Sequence, residues 1–341
     1  MRIASLDVWT PRIQEIVREA LPSGYEIAFA SSYARHEQMA LAAEADAILT
    51  GWAEVDSEMI RAAPRLRAIQ KWGIGVDRID LAAAASRGVT VAIAAGCNAS
   101  PVAEHAVMLM LSVYRRLSEV DRSMRDGRWI FADMRDRCYS LRQKTVGLVG
   151  FGNTGRSVAR KLSGFEAKVT YFDPKRPDAS VESALGATFA PMDRLLAESD
   201  VISLHLPGGR QNRHLFAAEA FTQMKKGAVL INTARGDLVD EKALCDALAA
   251  GHLMGAGLDV YDPEPPAPGS RLTSFDQVVL TPHTSGSVID NVASVAAHAF
   301  GNIVAILAGL PIAAADRVDA PSGAEREQVW PEAAGAARRG S

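Results

Sequence analysis

Cysteine is scarce in this chain: Cys97, Cys138 and Cys245 are the only three in 341 residues. They are too few and too irregularly spaced for a disulfide framework or a Cys-rich zinc site, so reduced thiols and no metal centre are expected. An excess of either charge is also missing. Lys plus Arg total 37 against 40 Asp plus Glu, a formal net charge of −3, and no broad basic field exists to attract nucleic acid or an anionic membrane. No unbroken apolar run reaches the length of a membrane span, and the N-terminal MRIASLDVWTPRIQ lacks a continuous apolar h-region. Neither insertion nor secretion is indicated, and a cytoplasmic protein is expected. The partner class left by these absences is a small molecule.

Apolar residues make up 48% of the chain and charged residues 23%, the balance of a protein that folds around a core. The length suits roughly two domains. Short apolar runs recur: IASLDV (3–8), YEIAFA (25–30), DAILTG (46–51), RAIQKW (67–72) and VTVAI (89–93). Helix signals lie between them, such as Pro11 ahead of IQEIVREAL, or Asp80 ahead of LAAAASR with Gly88 as a stop. Strands spaced by helices pair in parallel, because a parallel crossover needs a dozen or more residues. The stretch 100–127 reads as one long helix, with Ser100 as N-cap, Pro101 at the first helical position and Gly127 at the end. The alternation then restarts with TVGLVG (145–150), KVTYFD (168–173), VISLHL (201–206), AVLINTA (228–234), MGAGLDV (254–260) and VVLTP (278–282). Two doubly wound α/β domains are predicted, followed by a disordered tail over 316–341.

Chemistry concentrates in the second half. GFGNTG places Gly150, Gly152 and Gly155 directly after a strand and at the start of a helix. The first glycine permits the tight turn, the second lets a pyrophosphate approach the backbone, and the third lets the helix sit close on the sheet. Free N–H groups around Asn153 and Thr154 would face the anion. Eighteen positions beyond Gly155 the next strand ends in Asp173, where a carboxylate accepts from both ribose hydroxyls and repels a 2′-phosphate. NAD is favoured over NADP, although Lys175 or Arg176 would soften the repulsion; the bland alternative has Asp173 only starting the DPKRP turn.

GFGNTG, then FD, VISLHLP, INTARGDLVDEKAL, GLDVYDPEP and LTPHTSG, in this order and spacing, resemble the NAD-dependent D-isomer-specific 2-hydroxyacid dehydrogenase family, of the phosphoglycerate dehydrogenase and hydroxypyruvate reductase kind. The resemblance runs from the first strand to about residue 310. It implies a flavodoxin-like substrate domain over 1–98 plus 287–315 and an inserted Rossmann NAD-binding domain over 99–286. It also implies a homodimer, with the 100–127 segment as a plausible interface, and two lobes that close over the reactants.

The residues themselves carry matching chemistry. Reduction of a 2-keto acid develops negative charge on the carbonyl oxygen, which calls for a proton donor and a fixed cation. Arg235 follows AVLINTA at a carboxyl strand end, where ligand crevices lie, and its fork suits a carboxylate and an adjacent carbonyl. His283 ends another strand in TPH, and imidazole titrates near neutral pH. Glu264, in DPEPP, completes a pair, since a neighbouring carboxylate favours imidazolium. The resemblance assigns these three residues the catalytic roles; singly, each also reads as a loop cation, a turn residue and a satisfied histidine.

The resemblance further implies that Asp259 contacts the nicotinamide carboxamide and that Thr233 lies beside the cofactor; a structural Asp259 is nearly as good a reading. In KWGIGVD, Gly73 and Gly75 allow a backbone nest, and the resemblance places Ile74 and Gly75 on the substrate carboxylate. His105, Met108 and Met110 read as helix packing, and His205 lacks an acidic partner in sequence. Trp52 is read as core or pocket wall, and MRDRC (134–138) as a solvated loop. Two rival functions share the fold: a phosphite-type dehydrogenase and an NAD-sensing corepressor-like binding protein. A formate branch pairs the histidine with Gln, and Glu264 argues against it.

Overall fold

The computed structural model describes residues 1–319. Two compact units emerge, Met1–Asn98 with 287–319, and Ala99–Gly286. The first is built on β1 (Arg2–Ser5), β2 (Glu26–Phe29), β3 (Ala47–Thr50), β4 (Ala68–Lys71) and β5 (Thr90–Ala92). These run parallel in the order β2-β1-β3-β4-β5, the flavodoxin-like order, which reverses between β1 and β3. Helix starts follow the sequence signals. Thr10 Oγ1 accepts from the Ile13 N–H ahead of the helix Pro11–Glu19, and Asp80 accepts from the Ala83 N–H before Leu81–Ser86.

The helix Val292–Leu307 closes one face of this sheet. Its Val292, Ala296, Ala299, Phe300 and Ile303 are buried against Ile3, Leu49 and Ala68. The segment Ile289–Leu307 has the length and apolarity of a membrane span. Here those apolar side chains form the core.

The second unit contains β6 (Thr145–Val149), β7 (Lys168–Phe172), β8 (Ala187–Phe189), β9 (Val201–Leu204), β10 (Ala228–Asn232), β11 (Leu253–Leu258) and β12 (Val278–Leu280). All are parallel, in the order β8-β7-β6-β9-β10-β11-β12. This is the Rossmann order with one further edge strand, and it reverses between β6 and β9. β8 went unpredicted: three residues at a sheet edge carry too little pattern to read.

The predicted 100–127 helix is two helices, Ala99–Tyr114 and Leu117–Arg125. Arg116 breaks it with a left-handed φ of 50°. Glu119 holds the corner, accepting from Arg116 Nε and from both terminal nitrogens of Arg137 at 2.9 and 3.0 Å. Ser100 lies inside the first helix instead of capping it, and its hydroxyl meets Glu104 and Lys161.

The predicted disorder from 316 is also corrected, as far as 319. β13 (Arg317–Val318) pairs antiparallel with β5. Asp316 is buried. One of its carboxylate oxygens accepts from the Ala95 N–H at 2.9 Å, the other meets His298 Nε2 at 2.9 Å, and its carbonyl accepts from Ile93 N–H. A buried carboxylate supplies its own reason for order, because the partners that satisfy it fix the chain. The rest of that tail, 320–341, lies outside the described residues. Asp316→Ala, which strips two partners of their acceptor, is expected to cost about 1–3 kcal/mol; urea unfolding checks it, and an unchanged midpoint contradicts the anchoring role.

Candidate active site

The second unit's sheet reverses where its carboxyl ends carry the glycine turn. Gly150 has φ 101°, and a Cβ there would collide with the His205 carbonyl after β9. A Cβ at Gly155 would collide with the Gly150 carbonyl, so the helix Asn153–Leu162 seats directly on the turn. That helix has no side-chain cap and no acidic residue in its first turn. The N–H groups of Gly152, Asn153 and Thr154 therefore stand open to an anion.

Two buried polar atoms near this crevice have no partner among the described residues, Thr233 Oγ1 after β10 and His205 Nδ1 after β9. Open helix amides, a cradle with no room for a Cβ and unpaired buried polar atoms are what a dinucleotide fits. Burial pushes the His205 imidazole down to about 3, and its Nε2 lies 2.9 Å from Ser203 Oγ. His205 is thereby neutral at physiological pH.

Asp173 holds the turn that the bland alternative gave it, and reaches the glycine turn as well. One carboxylate oxygen accepts from the Phe151 N–H in the glycine turn at 2.8 Å, the other from the Lys175 N–H at 2.8 Å. It both closes the DPKRP turn and ties it to the phosphate cradle, and each oxygen keeps a lone pair for a ribose hydroxyl. Arg176 is engaged elsewhere. It donates twice to Glu182, at 2.7 and 2.9 Å, and lies over the Phe189 ring. Those bonds from Arg176, with a further one from the Tyr171 hydroxyl, hold the Glu182 carboxyl down at about 2.

Glu264 and His283 form a direct pair, Nδ1 to Oε2 at 2.9 Å. The other Glu264 oxygen accepts from the Tyr261 N–H at 2.9 Å, which fixes the carboxylate. His283 holds a left-handed φ of 53°, uncommon for a residue with a Cβ. Its N–H donates to the Asp259 carbonyl at 2.8 Å.

Arg235 follows β10 on a loop shaped by buried Asn232. That amide donates to the Arg235 carbonyl at 2.8 Å and accepts from the Ala234 N–H at 3.0 Å. The next residue, Gly236, lies so close to the Tyr261–Asp262 backbone that any Cβ would collide with it. The loop of Arg235 is thus packed on the turn that presents Glu264. Gly236 was not singled out in the sequence, and only the G in ARGD signalled it.

Asp259 carries the contacts that the structural reading calls for. Its side chain is 0% exposed and is occupied by the Thr281 hydroxyl at 2.6 Å and by the Thr284 and Ser285 N–H groups, both at 2.9 Å. It braces the turn around His283.

In the first unit, Ile74 is exposed in the loop after β4, and the N–H groups of Ile74 and Gly75 make no hydrogen bond to this unit's backbone. The loop is not the nest expected: neither Gly73 nor Gly75 takes the positive φ an alternating-handed nest requires. A residue overlooked in the sequence organises the neighbouring loop. Asp7, 4% exposed, accepts from the N–H groups of Gly51, Trp52 and Ala53 at the point where the first sheet reverses. Trp52 carries the Arg78 guanidinium 4.1 Å over its ring.

Asp173→Asn keeps an acceptor and removes the charge. The NAD-over-NADP ratio of binding affinities, read by fluorescence titration of the reduced dinucleotides, is expected to fall about tenfold or more. An unchanged ratio removes Asp173 from cofactor selection.

Residues 107–285 match the family described as D-isomer specific 2-hydroxyacid dehydrogenase, NAD binding domain. The chain is 36% identical over 303 residues to a D-3-phosphoglycerate dehydrogenase of Archaeoglobus fulgidus, covering 89% of this chain but 57% of that protein. It is 39% identical over 265 residues to a glyoxylate reductase of Thermofilum pendens, covering 75% and 76% of the two chains. Among solved structures, an NAD-dependent formate dehydrogenase from Staphylococcus aureus in complex with NAD superposes with a TM-score of 0.81 at 27% identity, over 94% of this chain and 100% of that one. The motif order, the glycine cradle and these likenesses agree, and the chain belongs to the D-isomer specific 2-hydroxyacid dehydrogenase family.

Proposed function

We propose that this protein interconverts a D-2-hydroxy acid and its 2-keto acid, with NAD as the redox partner. The observation that carries the reading is the His283–Glu264 pair at 2.9 Å, on a turn adjoining the loop of Arg235 through Gly236. Bound NAD supplies the hydride acceptor and donor at the substrate carbon. The chain's residues do the remainder. Arg235 pairs with the substrate carboxylate and polarises its carbonyl, because a guanidinium stays protonated and its donors form a rigid fork. In reduction His283 gives a proton to the carbonyl oxygen, and in oxidation it takes the hydroxyl proton. Glu264 holds the ring by Nδ1, and the proton exchange with the substrate is assigned to Nε2. Thr233 Oγ1 is proposed to bond the cofactor.

Arg235→Lys and Arg235→Ala are both expected to lose about 100-fold or more in kcat/KM, since lysine cannot reproduce the fork. Glu264→Gln keeps a hydrogen bond and loses the charge, so its larger effect is expected on kcat, by about 10-fold or more. A panel of D-2-hydroxy acids with NAD, each also run as the 2-keto acid with NADH, checks all three. Turnover by Arg235→Ala near the wild-type rate rejects the mechanism. NAD binding without turnover of any panel member favours the sensor reading instead.

A homodimer is proposed as well. Leu117, Met124, Trp129 and Phe131 are exposed within one short stretch of the second unit, and Trp129 and Phe131 stack at 6.5 Å. Large apolar side chains grouped on a surface mark an association site. Sedimentation is expected to give a dimer that Trp129→Ser with Phe131→Ser shifts toward monomer; a monomeric wild type overturns the proposal.

A further inference from the structure

The helix Ala99–Tyr114 lies against β11, where two glycines make room for it. A Cβ at Gly257 would meet Leu109 Cβ at 2.9 Å, and one at Gly255 would meet a Val113 methyl at 2.7 Å. Leu109 and Val113 are four residues apart, so the same stripe of the helix runs on to position 105. That position holds His105, expected from its sequence setting to be packing. Its Nε2 instead lies 2.9 Å from Thr281 Oγ1 and 3.5 Å from Asp259 Oδ1. The Thr281 hydroxyl has one hydrogen, and it goes to Asp259 at 2.6 Å. A lone pair is then what faces His105, so the imidazole must donate from Nε2. Burial holds the His105 pKa below its ordinary value, against the pull of Asp259, so the donor is a neutral ring in one tautomer.

We propose that His105 is a positioning residue for His283, acting through the Thr281 hydroxyl and the Asp259 carboxylate. Thr281 and Thr284 flank His283 closely, and both bond Asp259 Oδ1. The His283 N–H in turn is held by the Asp259 carbonyl at 2.8 Å and the Thr281 carbonyl at 3.1 Å. The Tyr261 hydroxyl donates to that Thr281 carbonyl at 2.9 Å, on the turn that carries Glu264. The left-handed backbone of His283 is uphill for a residue with a Cβ. It persists because this lattice over-determines it, and His105 fixes which way the Thr281 hydrogen points. Remove that donor and the hydroxyl is free to rotate toward the Leu258 carbonyl, 3.4 Å away. Asp259 then loses a donor, and the His283 ring drifts from Glu264.

The inference rests on the proposed role of His283, and its test separates the two. His105→Leu and Thr281→Val are expected to lower kcat for 2-keto acid reduction about tenfold or more, the scale of small misplacements of a reacting group. KM for the keto acid should stay within about threefold, since Arg235 is untouched. His105→Gln offers an amide N–H to Thr281 and should recover most of kcat. The double variant His105→Leu with Thr281→Val should be no worse than the poorer single one, as expected for residues in one hydrogen-bond chain.

Equal damage in His105→Gln and His105→Leu, effects that multiply, or a normal kcat in His105→Leu overturns the proposal. Imidazole 15N spectra of the protein alone give a readout without turnover. His105 should appear as the neutral Nε2–H tautomer near pH 7, and the Nδ1–H tautomer or a charged ring would end the argument. These spectra serve equally where His105→Leu does not fold, and where the wild type reduces no keto acid, a result that defeats the proposed activity.

Discussion

A carboxylate removed from water has to be given its hydrogen bonds by the protein, and Asp259 is the place where this requirement shapes the second unit most. Its side chain is sealed from solvent, and the partners it needs come from the residues on either side of His283. The chain after β12 wraps around the carboxylate and supplies its close donors. His283 is thereby carried into a left-handed backbone conformation, with its ring facing Glu264. The fixed place of the His283 ring follows from burying a neighbouring carboxylate.

The two units solve a related problem at their own sheets. Each sheet is open and parallel, and each reverses its strand order at one point, β1 against β3 and β6 against β9. At such a point adjacent loops diverge to opposite faces and leave a crevice. In the second unit glycine lets two backbones touch there. In the first, the Asp7 carboxylate gathers three successive amides after β3. One crevice is opened by the absence of a side chain, and the other is tied by the presence of one.

Most strands and both sheet types were legible in the sequence, since alternating apolar runs and helix caps are local signals that burial reinforces. The glycine turn, Asp173, and the pairing of Glu264 with His283 were legible because the chemistry demands particular residue types at strand ends. What escaped depends on contacts distant in sequence. Arg116 breaks a helix because Glu119 and Arg137 hold the corner, and no periodicity in 100–127 announces that. Asp316 is ordered by Ala95 and His298, though its own neighbours read as tail. Asp7, Gly236 and the Thr281 partner of His105 are likewise invisible until the fold brings their partners near. The nest after β4 was anticipated from two glycines, yet a glycine permits a positive φ without requiring it.

The ion pair between Arg176 and Glu182 bears on how this protein could change over evolutionary time. Arg176, one of the two cations that follow Asp173, is already spoken for by the helix beyond it, braced on one side by an aromatic ring. Accepting a phosphorylated ribose would call for two coordinated changes, one to remove an acid and one to liberate a base. Loss of the acid alone weakens the preference without supplying a partner for the phosphate, so a full reversal in one step is not expected.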